Sequence, residues 1–158
     1  GTWITREMRA AYCELHALGR AHSIETWRDG RLVGGLYGVQ LGRVFFGESM
    51  FSEERDASKV ALSGLVRHAL EVGIELIDCQ LASRHLGSLG SRSIPRTEFI
   101  ALLARLASPD VPDAWRPAPL PVPAGAPPRD MPGAASRATP EGDRGGDATL
   151  AAQVAPGA

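Results

Sequence analysis

Apolar residues recur at helical spacing in three stretches of the chain. Each stretch begins at a polar residue that can cap a helix: Thr5 for the first, either Asp56 or Ser58 for the second, and Thr97 for the third. The first two stretches end at glycines. The spacing therefore predicts helices over about 5–18, 56–72 and 97–106, with one further helical turn at 85–89.

Shorter apolar or alternating segments predict four strands, at 22–27, 32–39, 44–46 and 76–80. Asp29-Gly30 between the first two is a strong hairpin signal. A helix between the last two makes a strand–helix–strand crossover, which pairs its strands in parallel. The order α-β-β-β-α-β-α predicts an α+β fold, in which helices pack on a mixed sheet that contains an antiparallel meander.

Composition divides the chain of 158 residues. Of the twelve prolines, only Pro95 precedes residue 108, and the remaining segment is rich in Pro, Ala and Gly. Such a segment buries too little apolar surface to offset the entropy of ordering it. We predict a folded domain over 1–107 and a disordered tail over 108–158, with the part around Trp115, 110–116, docked on the domain.

Charge and cysteine content exclude several classes of protein. The net charge of −1 argues against a polybasic nucleic-acid arm, and no apolar run is long enough for a membrane span. No secretory signal is visible. Cys13 and Cys79 form neither a disulfide framework nor a zinc pattern, so we expect free thiols in a reducing, cytoplasmic compartment.

Polar residues interrupt two apolar segments where chemistry is plausible. Glu48 is flanked by aromatic residues where the third strand leaves the sheet, and is either a salt-bridge partner or a site residue. Asp78 and Gln80 share one face of a strand, so they are either hydrogen-bonded to each other or line a cavity. The histidines show no metal spacing, and His68 is expected on the exposed face of its helix.

The order of elements is also that of the GNAT acyltransferases. In CoA-dependent members, a glycine-rich turn enters the central helix, and its N–H groups bind the pyrophosphate. The corresponding stretch here, 55–60, lacks both glycines. Acetyl-CoA is therefore not the expected donor.

Taken together, a series of ordered strings resembles one family closely, the bacterial leucyl/phenylalanyl-tRNA–protein transferases. The resemblance covers about Trp3 to Leu106, and is carried by LHxxGxAHSIExW (15–27), LVGGLYGV (32–39), FFGESMFS (45–52), DASKxAL (56–62), LIDCQ (76–80), HLxSLG (85–90) and IPR (94–96).

The resemblance implies an activity. Members transfer Leu or Phe, and Met less well, from aminoacyl-tRNA to the N-terminal Arg or Lys of acceptor proteins. The new N-terminus marks the acceptor for degradation through the N-degron (N-end rule) pathway. The resemblance implies no cofactor, neither CoA nor metal, no membrane association, and a monomer.

The resemblance also implies roles for residues. Gln80 takes the proton of the attacking amine, with support from Asp78. Because a neutral amide is a very weak base, an alternative mechanism has Gln80 position the amine while Asp78 or the tRNA takes the proton. Glu48 holds an amino group of the donor or the acceptor. Trp3 stacks on the 3′-terminal adenosine of the tRNA. Six residues are expected to line an apolar pocket for the donor side chain: Phe45, Met50, Leu62, Ile77, Leu36 and Leu65.

The family has an N-terminal domain before the equivalent of Trp3, so we expect this chain to be the catalytic C-terminal domain without it. Two alternatives remain open. A cell-wall peptide ligase would use the same donor, but the strings at 45–52 and 76–80 argue against it. A non-catalytic remnant that binds aminoacyl-tRNA or a partner is favoured by the missing domain, whereas intact Glu48, Asp78 and Gln80 argue against it.

Overall fold

The computed structural model describes residues 4–108, Trp115 and the backbone of Ala148–Gln153. The predicted order of elements is confirmed, and two further strands extend it. In chain order the elements are α1 (Arg6–Ala17), β1 (Ala21–Arg28), β2 (Arg31–Leu41), β3 (Val44–Ser52), α2 (Ala57–Val72), β4 (Leu76–Gln80), α3 (Arg84–Ser88), β5 (Arg92–Pro95), α4 (Arg96–Leu106) and β6 (Ala148–Gln153).

The strands form one six-stranded sheet in the order β1-β2-β3-β4-β6-β5. β1, β2 and β3 are an antiparallel meander, and the crossover through α2 makes β3 and β4 parallel. β6 lies antiparallel between β4 and β5. The prediction of a GNAT-like α+β fold with a mixed sheet is confirmed.

Helices cover the two faces of the sheet. Because side chains alternate along a strand, Phe45 and Val44 point to opposite faces. The α2 face buries Ile24, Leu36, Phe45, Ala61, Leu65, Ala69, Ile74 and Ile77 in one cluster. The α4 face buries Val44, Leu76, Ile94, Phe99 and Leu106 in a second cluster.

The helix ends follow local chemistry. The Thr5 hydroxyl accepts a 3.2 Å hydrogen bond from the Met8 N–H at the start of α1, as predicted. α2 ends at Gly73, which adopts the left-handed conformation (φ 78°) that closes a helix without steric cost to glycine. α4 begins at Arg96 with Pro95 as its cap, so the prediction of Thr97 as the cap was wrong. Within the described residues, no helix combines the length and apolar character needed to cross a membrane.

The strands differ from the sequence prediction in three places. β3 continues to Ser52 rather than stopping at 46, and β5 was not predicted. β6 lies inside the segment predicted to be disordered; its six residues gain order by pairing with two strand edges at once. Trp115 packs against the α2-face cluster, which agrees with the predicted docking. Apart from Ser108, Trp115 and β6, the tail lies outside the described residues.

Candidate functional site

A cavity opens where β3 and β4 stop pairing. The two strands pair only between Val44–Phe46 and Leu76–Asp78, and β3 then continues for six residues without β4 beside it. The resulting cavity has a volume of about 190 Å³ and is mostly apolar. Its lining comprises Leu36, Gly47, Glu48, Ser49, Met50, Leu62, Leu65, Ile77, Asp78, Cys79 and Leu86.

Glu48 enters this cavity through a β-bulge. Tyr37 of β2 pairs with Ser49 and Gly38 pairs with Gly47, so Glu48 is an extra residue without a partner in the β2–β3 ladder. A bulge re-aims the side chain that it carries. The prediction that Glu48 marks the end of the strand was wrong, because the strand continues beyond it.

The same bulge determines what else faces the cavity. Phe45 and Met50 are five residues apart, and in a regular strand they would point to opposite faces. The extra residue between them places both on the α2 face, where Met50 lies opposite Leu36. The bulge therefore supplies both the acid and part of the apolar lining.

Two tyrosines flank Glu48 from the other face of the sheet. The Tyr12 ring of α1 contacts the Tyr37 ring edge-on, with centroids 5.1 Å apart. Burial and a hydrogen bond to the Glu48 carboxylate raise the pKa of Tyr12 to about 12. Burial and the negative charge of Glu48 also raise the pKa of Tyr37, so both phenols stay protonated near neutral pH.

Asp78 and Gln80 sit at the end of β4, but not as a regular strand would place them. Gln80 adopts a left-handed backbone (φ 60°), which is strained for a residue other than glycine. Its N–H donates a 2.8 Å hydrogen bond to the Asp78 carboxylate, and Leu81 N–H donates to the Cys79 carbonyl across a tight turn. Asp78 is therefore fixed by the backbone of Gln80.

The environment of Asp78 makes its carboxylate more basic than usual. Its side chain is buried (6% exposed). Burial raises the pKa of Asp78, the Gln80 N–H partly offsets this, and the nearby Glu48 raises the pKa further. The pKa of the neighbouring Cys79 thiol rises to about 11 through burial and the charge of Asp78, so this thiol is protonated and unreactive near neutral pH.

The structure brings most of the predicted site residues together. Glu48 and Asp78 lie in the cavity wall with five of the six predicted apolar residues, Leu36, Met50, Leu62, Leu65 and Ile77. The sixth, Phe45, is fully buried in the cluster beside the cavity and does not line it. Gln80 is exposed and also lies outside the lining. Trp3 lies outside the described residues.

Sequence reasoning missed three contributors. Cys79 follows Asp78 in β4. Leu86 comes from the short helix α3, which was predicted as a helical turn and is capped by Ser83, but its position at the cavity was not predicted. Tyr12 lies in the helix predicted over 5–18, and no site role was predicted for it. Its contact with Tyr37 depends on how α1 crosses the sheet, which no local pattern encodes.

The start of α2 does not fit a CoA pyrophosphate. Asp56 is the N-cap in a left-handed conformation (φ 64°), and its carboxylate lies 2.6 Å from the Lys59 ammonium. A carboxylate at a helix N-terminus repels the phosphates that CoA-binding members hold there. Among the described residues, no three His, Cys, Asp or Glu side chains are arranged to hold a metal ion.

The fold and the cavity define a GNAT-like domain, with an apolar cavity bordered by two carboxylates at the gap between its parallel strands. The model of one family, described as leucyl/phenylalanyl-tRNA protein transferase, matches residues 1–104. The chain therefore belongs to the leucyl/phenylalanyl-tRNA–protein transferase family.

Curated relatives agree with this assignment. A leucyl/phenylalanyl-tRNA–protein transferase of Thiobacillus denitrificans is 60% identical over 116 residues, covering 73% of this chain and 51% of the relative. One of Pseudomonas entomophila is 61% identical over 105 residues, covering 66% and 46%. One of Chromobacterium violaceum is 60% identical over 103 residues, covering 65% and 44%. The chain thus spans about half the length of these relatives.

Proposed function

We propose that the chain transfers Leu or Phe, and Met less well, from aminoacyl-tRNA to the N-terminal Arg or Lys of acceptor proteins. The observation that carries the proposal is the cavity in the gap between β3 and β4, which combines an apolar lining with the carboxylates of Glu48 and Asp78. The family membership of the chain and the activity for which its relatives are named support it.

The size and lining of the cavity suit the proposed donors. A dry cavity of about 150 Å³ accepts benzene, so about 190 Å³ accommodates an isobutyl, phenyl or thioether side chain. Met50 in the wall adapts its shape to different occupants. An apolar pocket discriminates by only about 1–3 kcal/mol per methylene, which fits a preference that extends over Leu, Phe and Met.

The reaction is the aminolysis of an ester. The neutral acceptor amine attacks the ester carbonyl and a C–N bond forms. The C–O bond to the tRNA 3′ end breaks, and the proton that the amine loses passes through the base to the leaving 3′ oxygen, which departs as a hydroxyl. The raised pKa of Asp78 makes it the better proton acceptor at the site, since a neutral amide such as that of Gln80 is a very weak base.

Gln80 and Glu48 have positioning roles in this proposal. The strained backbone of Gln80, which still pairs with Leu150 of β6, holds the Asp78 carboxylate through the 2.8 Å hydrogen bond. In this proposal the exposed Gln80 side chain orients the amine. Glu48, held by the Tyr12 phenol, binds an amino group by charge. Trp3 is proposed to stack on the 3′-terminal adenosine, an interaction worth about 1–3 kcal/mol.

The wider role follows from the proposed reaction. An acceptor that gains an N-terminal Leu, Phe or Met is marked for degradation by the N-degron pathway. We propose a cytoplasmic monomer that uses no cofactor, because the charged tRNA carries the activated ester and supplies the driving force.

A second function is favoured by the position of Gln80, which is exposed and lies outside the cavity lining. In this alternative the chain binds aminoacyl-tRNA or a partner protein without turnover. It differs from the first function in one measurable respect, since binding would persist while transfer is absent.

The test is the transfer of labelled Leu from leucyl-tRNA to peptides that begin with Arg, Lys, Ala or acetylated Arg. Transfer to the free Arg and Lys peptides alone is the expected result. No transfer by a folded chain that still binds leucyl-tRNA would support the non-catalytic alternative. No transfer and no binding would contradict both functions.

A further inference from the structure

Trp115 is partly buried and packs between α2 and the sheet. Its ring stacks on the His22 ring, with centroids 4.1 Å apart and an angle of 17° between the planes. It lies nearly parallel to the Phe45 ring at 5.6 Å, and it meets the His68 ring of α2 edge-on at 4.5 Å. Trp115 therefore contacts β1, β3 and α2 at once.

Gly38 creates the room for this packing. A Cβ atom at Gly38 would lie 2.6 Å from the Phe45 ring and 2.1 Å from the Phe46 carbonyl oxygen. Because Gly38 has no side chain, the Phe45 ring lies over the β2 backbone. The space above the paired residues His22 and Gly38 is then filled by Trp115.

The two histidines behave as packing residues in this cluster. His68 is buried, so the prediction that it lies on the exposed face of its helix was wrong. The Nε2 atoms of His22 and His68 have no hydrogen-bond partner among the described residues. Burial lowers the pKa of both imidazoles, that of His22 to about 4, so both rings are neutral and suited to aromatic packing near neutral pH.

The cluster borders the cavity directly. Phe45 belongs to the same buried cluster as the cavity-lining residues Leu36, Leu65 and Ile77. Along α2, His68 follows Leu65 by three residues, so the two side chains lie on the same side of the helix. The Trp115 side chain, which contacts both Phe45 and His68, therefore determines how closely α2 approaches the sheet next to the cavity.

We propose that Trp115 is a positioning residue that closes the inner end of the cavity through Phe45 and His68, and thereby determines which donor side chain fits. This inference rests on the proposed function, because it assigns the cavity to the donor side chain. It also gives a role to a residue outside the segment that the family model matches, residues 1–104.

The test measures the binding of two probes to the full chain, amide-linked 3′-leucylamino- and 3′-phenylalanylamino-adenosine. Methionine methyl groups labelled with ¹³C report occupancy, because Met50 lines the cavity, whereas Met8 on α1 lies elsewhere and serves as an internal reference. Trp115→Ala is compared with Trp27→Ala, a matched control in which the removed indole is exposed and does not line the cavity.

We expect Trp115→Ala to shift the ratio of the two dissociation constants about tenfold toward the larger phenylalanyl probe, the size of effect that one methylene makes in an apolar pocket. Trp115→Phe should shift the ratio by less, and Trp27→Ala should leave it unchanged. A merely structural role would lower the melting temperature without changing the ratio.

The outcomes separate the two proposals. An unchanged ratio in folded Trp115→Ala, or in Trp115→Phe if the alanine variant does not fold, would overturn the inference alone. If the wild-type chain binds neither probe at the Met50 site, the donor assignment of the cavity is overturned, and this inference with it.

Discussion

The two ends of the space between α2 and the sheet differ in whether a ligand can reach the buried titratable group. At the open end, burial raises the pKa of Asp78 and leaves its carboxylate beside a cavity that a ligand can enter. At the filled end, burial lowers the pKa of His22, and its ring stacks on the Trp115 ring. Burial favours the neutral form at both ends, so a shifted pKa alone does not identify a catalytic group. Asp78 differs from His22 because Asp78 lines the cavity and His22 does not.

The largest effect should come from the open end. Replacing Asp78 with Asn keeps an oxygen that can accept the Gln80 N–H bond but removes the base. We expect leucyl transfer at saturating donor to fall by about 10²–10⁴-fold, the usual contribution of general acid–base catalysis, with little change in donor binding. Because the raised pKa of Asp78 costs stability at neutral pH, this variant should melt at the same temperature or higher. Reduced binding with equal turnover would remove the assigned role.

The second-largest effect should be a loss of stability at the filled end. Gly38→Ala places a Cβ atom 2.1 Å from the Phe46 carbonyl oxygen, and the sheet cannot relieve this contact without losing pairing. We expect a loss of about 2–3 kcal/mol in the free energy of unfolding, measured by urea denaturation. Gly87→Ala is the control, since nothing lies within 4 Å of its Cβ position. Equal stability of both variants would contradict the packing described here.

The third prediction concerns pH. The pKa of His22 is about 4 in the folded state, against about 6.5 in an unfolded chain, so the unfolded state binds more protons between these values. The free energy of unfolding should therefore decrease as the pH falls from about 6.5 to 4. Solvent partly screens the imidazole, which limits the decrease to about 1–2 kcal/mol. The lowered pKa of His68 acts in the same direction.

Unfolding free energies of the wild type and of His22→Gln across this range provide the measurement. The variant should lose part of the pH dependence, and an identical slope in both proteins would show that His22 does not contribute. Carboxylates with lowered pKa values, such as Glu75, lose their contribution at lower pH than His22 and do so in both proteins.

The smallest effect should come from one apolar wall residue. Met50→Ala removes an adaptable side chain from the cavity, and we expect leucyl and phenylalanyl donors to bind about fivefold more weakly while turnover at saturation is retained. KM and kcat measured separately for both donors check this. Unchanged values for both would place Met50 outside the donor site.

The sequence predicted the order of elements because each depends on local signals, such as the Asp29-Gly30 hairpin and the glycine that ends α2. Through the resemblance it also predicted that Leu36, Met50 and Ile77 line an apolar pocket, and the structure places all three in the cavity wall.

Features that depend on distant parts of the chain were not predictable in this way. The bulge at Glu48 exists only relative to the pairing of β2, and the left-handed Gln80 depends on the Asp78 carboxylate and the turn after it. The buried His68 ring packs against Trp115, which lies 47 residues further along the chain.

The bulge also means that β3 can lose one residue without changing its register with β2. Glu48 is the one residue of β3 between Gly47 and Ser49 that has no partner on β2, and every pair before and after it is regular. A deletion of that single codon would leave Gly47 opposite Gly38 and Met50 opposite Leu36, so the rest of the ladder would need no re-pairing. The acid is thus a modular insertion, which a gene can gain or lose in one step while the sheet keeps its register.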